Sequence, residues 1–189
     1  MAVCIARVSA TGADLTSAEA LDEIAEGFVG WYLDGPADIG NQTRAVLAST
    51  SRGPAQSAAA MSANSDALHA RTGRTAGNGA LMRTAVVGLT RLKDREATAG
   101  AARRIAQLTH ADVLAADSCV LWAEAVRRAV LDGVLDLEGG LDLIEADRRE
   151  AWADRIRAAE MQAPETFRPN GFTVTALQAA WSATVHTGR

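Results

Sequence analysis

Residues 16–36 read TSAEALDEIAEGFVGWYLDGP, and the fold class follows from them. Thr16-Ser17-Ala18-Glu19 has the hydroxyl-to-glutamate spacing of a helix capping box. After it Leu21, Ile24, Ala25, Phe28, Trp31 and Tyr32 return at three- and four-residue intervals, which places them on one face of an α-helix. Gly35-Pro36 ends the pattern: glycine supplies a left-handed cap, and proline cannot extend the hydrogen-bond ladder.

The same grammar repeats on both sides. Residues 1–9 read as the tail of an apolar helix carrying Val3, Ile5 and Val8, and shorter periodic segments occupy 43–50 and 55–69. A glycine-rich loop, Thr72 to Gly79, feeds an apolar helix expected over 80–92. Helices follow at about 96–109, 112–131 with Asp112 as N-cap, 141–160 and 172–186, so that about seven or eight helices are expected in all. Alternating β-branched runs are scarce. The chain is therefore expected to be all-α, a single compact multi-helix domain over residues 1–189.

Composition agrees. Of 189 residues, 48% are apolar and 22% charged, the balance of a globular domain with enough chain to bury a core. The net charge is −4 with acids and bases interleaved, which leaves no basic footprint for DNA or RNA. No apolar run approaches the ~18 residues of a membrane span, and MAVCIAR lacks a basic leader region, so a cytoplasmic location is expected. Cys4 and Cys119 sit in separate apolar helices and are expected to be reduced.

Three polar corners between helices could carry chemistry. Gly77-Asn78-Gly79-Ala80-Leu81-Met82-Arg83 brings small residues to a helix start, where backbone N–H groups can meet a phosphate; it also reads as an ordinary turn. Asp38-Ile39-Gly40-Asn41 fits either an Asx cap or a site carboxylate. At Thr109-His110 a histidine stands at a helical break, able to donate to a ligand or to cap a helix end.

The order of these corners changes their weight. Asp38-Ile39-Gly40-Asn41-Gln42-Thr43-Arg44, then Ala76-Gly77-Asn78-Gly79-Ala80-Leu81-Met82-Arg83, then Leu108-Thr109-His110-Ala111-Asp112 resembles the ADP-ribosylglycohydrolase family. That family includes the hydrolase that reactivates dinitrogenase reductase and is related to the jellyfish J-type crystallins. Phe28-Val29-Gly30-Trp31-Tyr32 and Asn170-Gly171-Phe172 look like further landmarks of it. The resemblance implies an all-α fold around a cleft for ADP-ribose, free or attached to a modified protein. It implies a pair of Mg2+ or Mn2+ ions that orient the ribose and the attacking water. Gly77, Asn78, Gly79 and Met82 would line the diphosphate and ribose wall, His110 would contact a phosphate or ribose, and Gly40 would edge the cleft beside Asp38. Asp38 is the candidate catalytic carboxylate, able to position the water or the leaving group.

The family's metal ligands come from an early Thr-Asp-Asp segment and a late Asp-x-Asp-Thr segment, and neither stands in this sequence. Asp38, Asp66, Asp112 and Asp117 share no spacing that would bring them together as substitutes. The chain is thus expected to be the central portion of such an enzyme, truncated at both ends and without hydrolysis of its own. The alternatives are a non-catalytic ADP-ribose or nucleotide-binding module and a remnant. Val3, Ile5, Val8, Trp181 and Val185 are expected to lie exposed at the ends and to favour self-association.

Overall fold

The computed structural model describes residues 1–187, in which the one trace of strand pairing is an isolated bridge between Gly77 and Phe172. Nine α-helices follow in chain order among the described residues: α1 (Ala2–Ala10), α2 (Ala18–Leu33), α3 (Asn41–Arg52), α4 (Ala58–Thr72), α5 (Leu81–Thr84), α6 (Arg95–Gln107), α7 (Val113–Asp132), α8 (Ala146–Met161) and α9 (Thr173–Thr187). Short 3-10 segments cover Ala85–Leu89, Glu138–Leu143 and Pro164–Thr166. The fold is all-α.

The stretch that decides the class is α2, but its cap lies one residue later than the box spacing suggests. Ser17 Oγ accepts the Ala20 N–H at 3.2 Å, whereas the Thr16 hydroxyl turns back to Asp14 at 2.8 Å. At the other end Gly35 adopts φ +70, and its N–H closes the helix on the Tyr32 carbonyl.

α7 is the centre of the molecule. It packs on α6, α9 and both longer 3-10 segments, and its contact with α6 is the most extensive between any two elements. Alanine makes this possible: α6 buries Ala99, Ala101, Ala102 and Ala106, and α7 buries Ala115, Ala116, Ala123 and Ala125, so the two backbones approach without bulky knobs. The largest fully enclosed side chains are Trp152 and Phe28. On α7 the buried Asp117 accepts from the Arg148 guanidinium at 2.7 Å and from Trp152 Nε1 at 3.1 Å, which ties α8 to the centre.

Nine α-helices stand among the described residues where about seven or eight were expected, and two further expectations fail. The helix anticipated over 80–92 is only one turn of α5 followed by a 3-10 segment, in which Gly88 lies directly against α7. A Cβ at Gly88 would stand 2.5 Å from the Ala123 carbonyl oxygen, so only glycine fits this close approach to α7. The terminal apolar residues are mostly covered: Ile5, Val8 and Trp181 are buried in the common core, Val185 is half-buried, and Val3 at 61% is the one strongly exposed. α1 packs on α2 and α9 packs on α8, which covers those faces apart from Val3. The thiols of Cys4 and Cys119 are free. No helix among the described residues is long and apolar enough to cross a membrane.

Candidate functional site

The three corners, far apart in sequence, meet at one cleft of about 440 Å³. Asp38 and Gly40 come from the α2–α3 loop, Gly77, Asn78 and Gly79 from the loop before α5, Met82 from α5, and His110 from the break between α6 and α7; all seven line it. Gly171, from the loop before α9, closes the same wall.

A glutamine holds the corners together. Gln42, in the first turn of α3, donates through Nε2 to the Thr75 carbonyl at 2.8 Å and to the Thr109 carbonyl at 2.9 Å. Its Oε1 accepts the Gly77 N–H at 3.4 Å. One amide thus joins the first corner to the second and third. The second is also pinned to the Asn170-Gly171-Phe172 segment, where Asn78 Nδ2 donates to the Asn170 carbonyl at 2.8 Å, the Asn78 N–H to the Gly171 carbonyl and the Thr173 N–H to the Ala76 carbonyl.

These bonds change the reading of the glycine loop. The Gly77 and Asn78 N–H groups are already engaged by protein oxygens, and α5 is a single turn with little dipole to offer. Gly77 and Gly79 do not adopt positive φ, so space is what they supply. A Cβ at Gly79 would lie 3.1 Å from Thr43 Oγ1 and 3.2 Å from His110 Nε2, and one at Gly77 would lie 3.0 Å from Gln42 Oε1. The glycines admit Gln42, Thr43 and the His110 ring to the cleft floor.

His110 is 1% exposed, and its Nδ1 meets the Thr109 hydroxyl at 2.7 Å. Burial, assisted by the nearby Arg83 charge, pushes its pKa down to about 3, so the imidazole is neutral at ordinary pH. The ring does not cap a helix; its Nε2 edge faces Gly77 and Gly79. Behind it Arg83, 3% exposed, has no carboxylate partner among the described residues. Its guanidinium donates to the Ile105 carbonyl at 3.0 Å and to Thr109 Oγ1 at 2.8 Å, and it lies 4.7 Å from the Phe28 ring centroid. Burial lowers its pKa to about 10, which still leaves it charged at neutral pH. A buried cation without a counter-ion therefore sits at the cleft wall and favours an anion there.

Asp38 is exposed at the rim and takes no hydrogen bond among the described residues. It does not act as an Asx cap: Gly40 is the N-cap of α3, and no side chain caps that helix. Met82, 73% exposed, joins Trp31 and Ile39 in an apolar flank.

A sequence model described as ADP-ribosylglycohydrolase matches residues 1–189. The chain belongs to the ADP-ribosylglycohydrolase family. No curated protein and no solved structure matches it. Within this ADP-ribosylglycohydrolase chain, the cleft also takes in Trp31, Gln42, Thr43 and Arg83, to which the sequence assigned no part in a site. Arg83 carried a usable signal, since a lone arginine inside the apolar run Ala80-Leu81-Met82-Arg83-Thr84-Ala85-Val86 must be buried with partners. Gln42 carried none, because its three partners lie 33 to 67 residues away.

The cleft residues do not fit the pair of divalent ions that the family resemblance implies. Asp38 is the only carboxylate on the described lining, while Asp112 caps α7 and Asp117 is bound to Arg148 and Trp152. No group of three or more His, Cys, Asp or Glu among the described residues could hold a metal ion.

Proposed function

We propose that the cleft binds ADP-ribose, free or attached to a modified protein, as the binding part of a glycohydrolase site. The observation that carries this reading is the meeting of the three motif corners on one cleft, with the uncompensated Arg83 behind its wall. The diphosphate answers that positive charge, and ribose hydroxyls have His110, Thr43 and Asn78 within the same lining. The Trp31, Ile39 and Met82 flank offers the adenine an apolar surface.

Asp38 is the proposed catalytic carboxylate. Nothing in the fold assigns it a structural task, and an exposed carboxylate at the rim can orient a water toward the anomeric carbon or steady the leaving group. The donor set of the cleft favours a second reading: ADP-ribose binding without hydrolysis and without a divalent ion. Calorimetric titration of the 189-residue chain with ADP-ribose, with Mg2+ and with a chelator, tests both. Saturable binding of equal affinity in the two conditions is expected. Release of arginine from ADP-ribosyl-arginine by the same chain would decide for the catalytic reading, and lack of any ADP-ribose binding would overturn both.

A further inference from the structure

We infer that Thr109 is a positioning residue: held by Arg83, its hydroxyl fixes His110 as the Nε2–H tautomer, so that a neutral N–H donor faces the cleft between Gly77 and Gly79. This rests on the ADP-ribose reading only for the identity of the acceptor.

The argument is a count of protons. Thr109 Oγ1 has two close partners, Arg83 Nη2 at 2.8 Å and His110 Nδ1 at 2.7 Å. Arginine can only donate, so the first bond uses a lone pair of the hydroxyl. The hydroxyl proton then has one acceptor in reach, His110 Nδ1; were Nδ1 to carry a proton instead, a fully buried O–H would be left unmade. Nδ1 is thereby the acceptor nitrogen, and the single ring proton resides on Nε2.

That nitrogen is free for a ligand. His110 makes no hydrogen bond through Nε2 among the described residues, lines the cleft, and turns this edge toward Gly77 and Gly79, where an added Cβ would crowd the ring. The chain Arg83 guanidinium, Thr109 hydroxyl, His110 imidazole runs in one donor-to-acceptor direction, so the buried charge strengthens the terminal N–H without any proton leaving its atom. An acceptor oxygen, from a ribose hydroxyl or a phosphate, is what such a donor selects. A protonated amine is rejected, having no lone pair to offer.

The test combines imidazole 15N NMR with ADP-ribose titration, on the full chain and on Thr109→Val and Thr109→Ser. Wild type is expected to show the proton directly bonded to Nε2. Thr109→Val should lose this single tautomer and bind ADP-ribose about tenfold more weakly, and Thr109→Ser should restore both. A wild-type ring protonated on Nδ1 overturns the inference even if Thr109→Val does not fold, and so does a tautomer unchanged in a folded Thr109→Val chain. An Nε2–H ring in a wild-type chain that binds no ADP-ribose leaves the tautomer lock standing and removes the ADP-ribose reading.

Discussion

At the residue scale, His110 couples the cleft to pH. Its pKa falls from an ordinary 6.5 to about 3 on folding, chiefly through burial and secondarily through Arg83. Between those values the unfolded chain binds the extra proton, so stability falls as pH drops below 6.5, by about 1.4 kcal/mol per unit for this group. Denaturant melts at pH 7 and pH 5 should show His110→Gln losing less stability on acidification than wild type. Asp38 and Gln42 should separate just as clearly. Asp38→Ala removes an exposed, unbonded carboxylate and should leave the melting temperature unchanged while weakening any turnover. Gln42→Leu strips three bonds from the junction of the corners and should cost about 2–3 kcal/mol, read in a thermal melt.

At the element scale, the periodic helices were the legible part. Leu21, Ile24 and Phe28 place α2, and Asp112 caps α7 as its position suggests, accepting the Leu114 N–H at 2.9 Å. The cap at Ser17 rather than Thr16 was not legible, because two adjacent hydroxyls compete and Asp14 decides between them. Nor was the change to 3-10 winding after α5, where Gly88 packs against Ala123 and Val126 more than thirty residues on. That contact predicts a cost: Gly88→Ala should destabilise the chain by about 2–3 kcal/mol, since neither the Ala123 backbone nor the Val126 side chain can yield easily. The Asp117 link between α7 and α8 is a second such point. Asp117→Ala leaves the buried Trp152 Nε1 without its acceptor and Arg148 with only the exposed Asp147, and should cost about 3 kcal/mol in a denaturant melt. Of the candidate site, the seven residues chosen from the sequence line one cleft, and what was not legible is that Gly77 and Gly79 also make room for Gln42, Thr43 and His110.

At the scale of the whole molecule, an alanine-rich core around α7 underlies three loops that share one cleft, and that cleft carries a buried cation whose counter-ion is not supplied by the described residues. A ligand that supplies it should stabilise the fold as well as bind, by about 2.7 kcal/mol at a hundredfold excess over its dissociation constant. The most direct measurement is an amide NMR titration of the chain with ADP-ribose. The account predicts saturable shifts centred on Gly40, Gly77, Gly79 and His110, with the exposed surface near Leu135 and Met161 unmoved. Shifts absent at saturating ADP-ribose, or centred away from the three corners, would contradict it.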